Sequence, residues 1–98
     1  MTEDDHHNGI ELYEAILLLK TVDEVNRFFI DLCTPQEIRI LKERWKVCQL
    51  LERGDMSYRD IHKLTGASLT TIGRVARFLK DEPGGGYKTM LQKLRKLK

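Results

Sequence analysis

Between Ser57 and Lys80 the chain reads SYRDIHKLTGASLTTIGRVARFLK, a stretch that leaves little choice of local structure. Ser57 followed three residues later by Asp60 is a capping-box start, Gly66 breaks the helix that follows, and Ser68 opens another. The spacing predicts a short helix from Tyr58 to about Leu64, with Ile61 and Leu64 turned inward, and a second from Leu69 to about Lys80. Two helices joined by so short a glycine turn form a helix-turn-helix, whose second helix can enter the major groove of DNA. Such a unit is expected at about residues 57–80.

Sorted at about 100° per residue, the second helix has two faces. Leu69, Ile72, Ala76 and Leu79 make a core stripe, while Thr70, Thr71, Arg74 and Arg77 lie on the other side, with Phe78 and Val75 near them. Small hydroxylated side chains beside arginines suit a groove, because they let the backbone approach, bond phosphates or bases, and leave the guanidinium room to reach a guanine edge. A helix-glycine-helix is also an ordinary packing corner. Arg59 reads either as a residue at the edge of the DNA or as an ion-pair partner of Asp55, and His62 and Lys63 read as exposed residues within reach of a phosphate.

The rest of the pattern is also helical, and no stretch alternates at period two for long enough to make a strand. Residues 1–8 are expected to be disordered, and residues 9–98 to form a single helical domain. From Ile10 to Lys20 the apolar residues occupy most of a helix circumference, more than one face can cover. Thr21 with Glu24 starts a second helix carrying Val25, Phe28, Phe29 and Leu32, with Cys33 near its end. Thr34, Pro35 and Glu37 start a third, expected to run to about Arg53 and stop at Gly54. In it Ile38, Leu41, Trp45 and Cys48 share one face, Ile40, Val47 and Leu51 a second, and Arg39, Lys42, Lys46 and Arg53 a basic stripe. EPGGG is a turn or linker, after which Tyr87, Met90, Leu91, Leu94 and Leu97 recur at helical spacing.

Charge divides the functions that remain. Residues 1–32 hold eight acidic and two basic residues, a net of −6, and residues 33–98 hold seven and fifteen, a net of +8, which together give the overall +2. The positive field therefore sits on the part that carries the helix-turn-helix. Cys33 and Cys48 have no CxxC or histidine at metal-ligand spacing, which fits reduced thiols in a cytoplasmic protein, and His6 and His7 read as polar filler. No apolar run is long enough to span a bilayer. No catalytic triad, carboxylate pair, metal-ligand set or phosphate-cradling glycine loop is present, so an enzyme is the least supported class. Two classes stay open: a DNA-binding regulator, or a helical dimer that binds protein or RNA and uses the helix-turn-helix for packing.

The stretch TPQEIRILKERWKVCQLLERGDMSYRDIHKLTGASLTTIGRV resembles the tryptophan repressor superfamily, especially its repressor-related bacterial branch. The matching features are Thr34-Pro35, Arg44, Leu50 to Ser57, Arg59, Gly66-Ala67, Ile72 and Arg74. The resemblance implies an all-helical, intertwined homodimer of six helices per chain, its two heads reading double-stranded DNA one helical turn apart on a palindromic operator. By the same resemblance Arg59 reaches a base edge, and Tyr58, His62, Leu69, Thr70, Thr71 and Gly73 line the phosphate and groove surface, although position 62 is usually lysine in the repressors. Arg44 and Arg74 correspond to the two arginines that sandwich the corepressor indole. The family has glycine and serine, however, where this chain has Val75 and Phe78. These add on the order of a hundred Å² or more of apolar surface to a small slot. They are expected to plug it and to support the reading head without tryptophan, the alternatives being another small effector in a reshaped cavity, or that both are simply core residues at a dimer seam.

Overall fold

The computed structural model describes residues 9–97, so the expectations for residues 1–8, including His6 and His7, lie outside it. Among the described residues there are six helices and no strand: α1 (Leu12–Ile16), α2 (Val22–Leu32), α3 (Pro35–Arg53), α4 (Tyr58–Thr65), α5 (Leu69–Lys80) and α6 (Gly86–Lys96). The expected all-α class is borne out. None of these helices is long and apolar enough to cross a membrane.

The helix starts follow the cap chemistry. Thr34 Oγ1 accepts the Glu37 N–H at 3.1 Å while the Glu37 carboxylate accepts the Thr34 N–H at 2.8 Å. Ser57 and Asp60 form the same reciprocal box at α4. At α2, Thr21 Oγ1 accepts the Glu24 N–H, but the Glu24 carboxylate reaches one residue further back, to the Lys20 N–H at 2.8 Å. Satisfying these otherwise orphaned donors stabilises each helix by about 1 kcal/mol.

The expected Ile10–Lys20 helix is corrected to five residues. After Ile16 the chain tightens into i to i+3 bonds, Leu18 N–H to Ala15 O and Leu19 N–H to Ile16 O, and Lys20 already belongs to the cap of α2.

The chain divides between Ile38 and Arg39 into two compact units. In the first, no residue from Gly9 to Ile38 is buried; Leu17, Leu18 and Val22 are 82%, 66% and 88% exposed. The second holds the core: Val47, Cys48 and Leu50 from α3, Ile61 from α4, Ala67 from the turn, Ile72, Val75 and Leu79 from α5, and Leu91 from α6. Trp45, Leu51, Met56 and Tyr87 pack against it from partly exposed positions. Full burial of an aliphatic side chain contributes about 1.5–3 kcal/mol, so this cluster fixes α5 between α4 and α6. Of the predicted stripe on α3, Leu41 is exposed and Leu50 is buried in addition to Val47 and Cys48. On α6 only Leu91 is fully inward, while Met90 and Leu97 are exposed.

Candidate nucleic-acid interface

The two-helix unit is built around Gly66, whose φ of +79° ends α4 in the left-handed region that a side chain strongly disfavours. Its N–H donates to the His62 carbonyl at 2.8 Å. Ala67 is fully buried, and Ser68 then caps α5 by accepting the Thr71 N–H at 3.0 Å.

Leu64 does not point inward as expected; it is 61% exposed, leaving Ile61 as the buried residue of α4. Leu69 is likewise 57% exposed rather than part of the core stripe, because it stands in the first turn of α5 beyond the end of the packed cluster. The buried stripe of α5 is Ile72, Val75, Ala76 and Leu79. Val75 is thus corrected from the polar side to the core, 1% exposed. On a helix this stripe spans only about 100°, and Val75 falls at its edge.

The opposite face carries Thr70, Arg74 and Arg77, all exposed, with Gly73 and Thr71 half-buried. Thr71 is drawn into the cap, its hydroxyl accepting from Ser68 Oγ at 3.1 Å. On α4, Tyr58, Arg59, His62 and Lys63 are exposed. Asp55 is engaged by Arg53 at 2.8 Å, which holds its carboxyl below the ordinary range, so the alternative partner for Arg59 is already taken. Arg77 is partly neutralised by Glu82 at 3.3 Å. Between Ser57 and Lys80 there are five lysines and arginines against Asp60 alone, and Asp60 is occupied in the α4 cap.

Of the residues expected to form a ligand corner, Arg74 and Phe78 meet on α5. The Arg74 guanidinium lies over the Phe78 ring, 4.3 Å from its centroid, and Arg77 lies 5.2 Å from the same centroid. Phe78, one turn beyond Arg74, is therefore covered by cations. The half-buried Arg44 has an Nε with no hydrogen-bond partner. Tyr87, by helical spacing no more than an apolar position of α6, belongs to this corner as well. Burial pushes its phenol upward, Cys48 adds to that, and Arg44 and Arg74 both act against it. The sequence carries no signal for this placement of Tyr87, because only the tertiary fold brings it to the two arginines. Thr65 is a second residue that periodicity misses; its place two residues before Ala67, across a glycine, is a hydroxyl-turn signature. Among the described residues no group of three His, Cys, Asp or Glu side chains is placed to hold a metal.

These features define a helix-turn-helix protein with an exposed basic face. The sequence model of the Trp repressor protein family matches residues 9–95, and the chain belongs to that family, a class of DNA-binding regulators. It is 46% identical over 69 residues to the uncharacterised protein YerC of Bacillus subtilis, a match covering 70% of this chain and 65% of that protein, a little under two thirds of its length. Its fold is similar to that of a TrpR-like protein from Eubacterium eligens, with a TM-score of 0.78 and 43% identity over 85% of this chain and 84% of the other. A protein from Staphylococcus aureus provisionally assigned as a Trp repressor gives a TM-score of 0.79 at 36% identity, covering 86% and 82% of the two chains.

Proposed function

We propose that this protein is a cytoplasmic transcriptional regulator of the repressor type that binds a palindromic site on double-stranded DNA as a homodimer, without needing tryptophan. The observation that carries the reading is the exposed side of the helix-turn-helix, where Arg59, Lys63, Thr70 and Arg74 are presented while the opposite face of α5 is buried. Gly73 supports it. A glycine inside a helix costs roughly 0.5–1 kcal/mol relative to alanine, and a Cβ there would meet nothing within 4 Å. The chain's own packing does not require that small residue; a backbone that must come close to a phosphate or base does.

In this reading Arg59 and Arg74 reach base edges or phosphates, and Tyr58, Leu69, Thr70, Thr71 and Gly73 shape the approach. A second copy supplies what the first unit lacks. The exposed apolar residues of α1, α2 and their connection have no core of their own, and covering them at about 25 cal/mol per Å² strongly favours association. The two copies complete one helical domain with two reading heads.

Tryptophan independence rests on Phe78 and Val75. Arg74 already stacks on an aromatic ring supplied by the chain, and Val75 fills the core beside it. One observation favours a second reading for this corner: the unpartnered Arg44 Nε would be satisfied by a small effector that brings an acceptor. The test of the main reading is binding of the purified protein to a random duplex pool at stepped salt. Retention that falls steeply with salt supports it, and retention of protein or RNA partners in preference to duplex favours a helical interaction module.

A further inference from the structure

Ala67 stands between the helix-ending Gly66 and the cap residue Ser68, is fully buried, and has both of its backbone groups taken by side chains of α4. Its N–H donates to Thr65 Oγ1 at 3.0 Å, and that hydroxyl donates onward to the Ile61 carbonyl at 2.7 Å. Its carbonyl lies 2.7 Å from His62 Nδ1. A carbonyl oxygen only accepts, so Nδ1 carries the proton in this bond. That bond commits Nδ1 to the fold and leaves only Nε2 for any other partner.

From this geometry we infer that His62 is a positioning residue of the reading head rather than a phosphate ligand: its Nδ1–H holds the Ala67 carbonyl and so sets where α5 begins. The inference rests on the DNA-binding reading for its consequence, but the contact belongs to the folded chain alone. Thr65 and His62 work as a pair on the two sides of one buried residue. Without the imidazole donor the Ala67 carbonyl is left buried and unsatisfied, and the first turn of α5, with Leu69 and Thr70, loses its fixed start. Lys63, the next residue, remains exposed and makes no such contact among the described residues.

The two roles separate by substitution. Asparagine places an amide N–H where Nδ1 stands, glutamine places one nearer Nε2, and lysine supplies a cation with no donor at the Nδ1 position. We expect His62→Asn to bind duplex DNA within about twofold of the original protein, and His62→Ala, His62→Gln and His62→Lys to bind roughly tenfold or more weakly, a hydrogen bond lost in each of two heads. The salt slope of His62→Ala should equal that of the original protein, whereas loss of a phosphate contact would lower it by about 0.9 per head. Rescue by lysine together with a reduced slope in the alanine variant overturns the inference. Hydrogen exchange of the Thr71 and Ile72 amides without DNA supplies a separate readout. Faster exchange in the alanine and lysine variants, and unchanged exchange in the asparagine variant, supports the positioning role even if duplex binding itself is absent. Equal exchange in all variants contradicts it.

Discussion

Arg59 is the most exposed test of the reading face at the scale of single residues. It stands in the first turn of α4 with no ion pair among the described residues, since Asp55 is already held by Arg53. Arg59→Ala should relax base preference at one operator position and weaken binding by about 1–3 kcal/mol per half-site if the contact is bidentate. Affinities for duplexes varied at that position, measured with both proteins, check this. Cys48 tests the core beneath. It is fully buried, and burial pushes its thiol from 9.0 up to about 11, with Glu52 adding to the rise. A folded-state pKa raised above the unfolded value means that the folded chain holds the proton more tightly. This stabilisation is complete below about pH 9 and is lost as the pH climbs through 11. Urea unfolding between pH 8 and 11 should show falling stability, more shallowly in Cys48→Ala. A flat profile for the original protein contradicts the assignment.

At the scale of elements, the helix boundaries from Thr34 onward were the most legible part of the sequence. Thr34, Ser57, Ser68 and Gly66 act locally, and each cap or stop depends on residues within four positions. Sidedness was less legible. Leu64 and Leu69 have core-like side chains at core-like spacing, yet both sit at the ends of their helices, where no neighbouring element reaches. Val75 shows the converse, placed near the polar face by angle but buried because α6 as well as α4 packs on α5. Tyr87 joined Arg44 and Arg74 only through the tertiary fold. In the proposed reading the consequence is functional, because Arg74 already has the Phe78 ring as its planar partner. Calorimetric titration with tryptophan should therefore show no saturable binding at micromolar concentration. A saturable isotherm would mean that Phe78 swings aside, and would contradict the plugged corner.

For the molecule as a whole, the most informative feature is the contrast between the two units. Residues from Arg39 on bury a contiguous core, whereas no described residue from Gly9 to Ile38 is buried, and Ile10, Leu17, Leu18, Val22 and Ile30 are exposed. The excess of apolar residues from Ile10 to Leu19 was visible in the sequence, although only Leu12–Ile16 of that stretch is helical. Which surface covers them was not, because in the proposed homodimer the cover comes from a second copy of the chain. Thermal unfolding should consequently depend on protein concentration, with the midpoint rising as the dimer is favoured by mass action. A midpoint that does not move over a hundredfold range of concentration would point to a self-sufficient monomer.

The central claim, that these helices read DNA as a symmetric pair, is tested most directly by selecting bound sequences from a random duplex pool with the intact protein. The expected result is enrichment of a two-fold symmetric motif whose half-sites lie about one helical turn apart. Absence of any enriched motif, with the protein folded and dimeric, would contradict the claim.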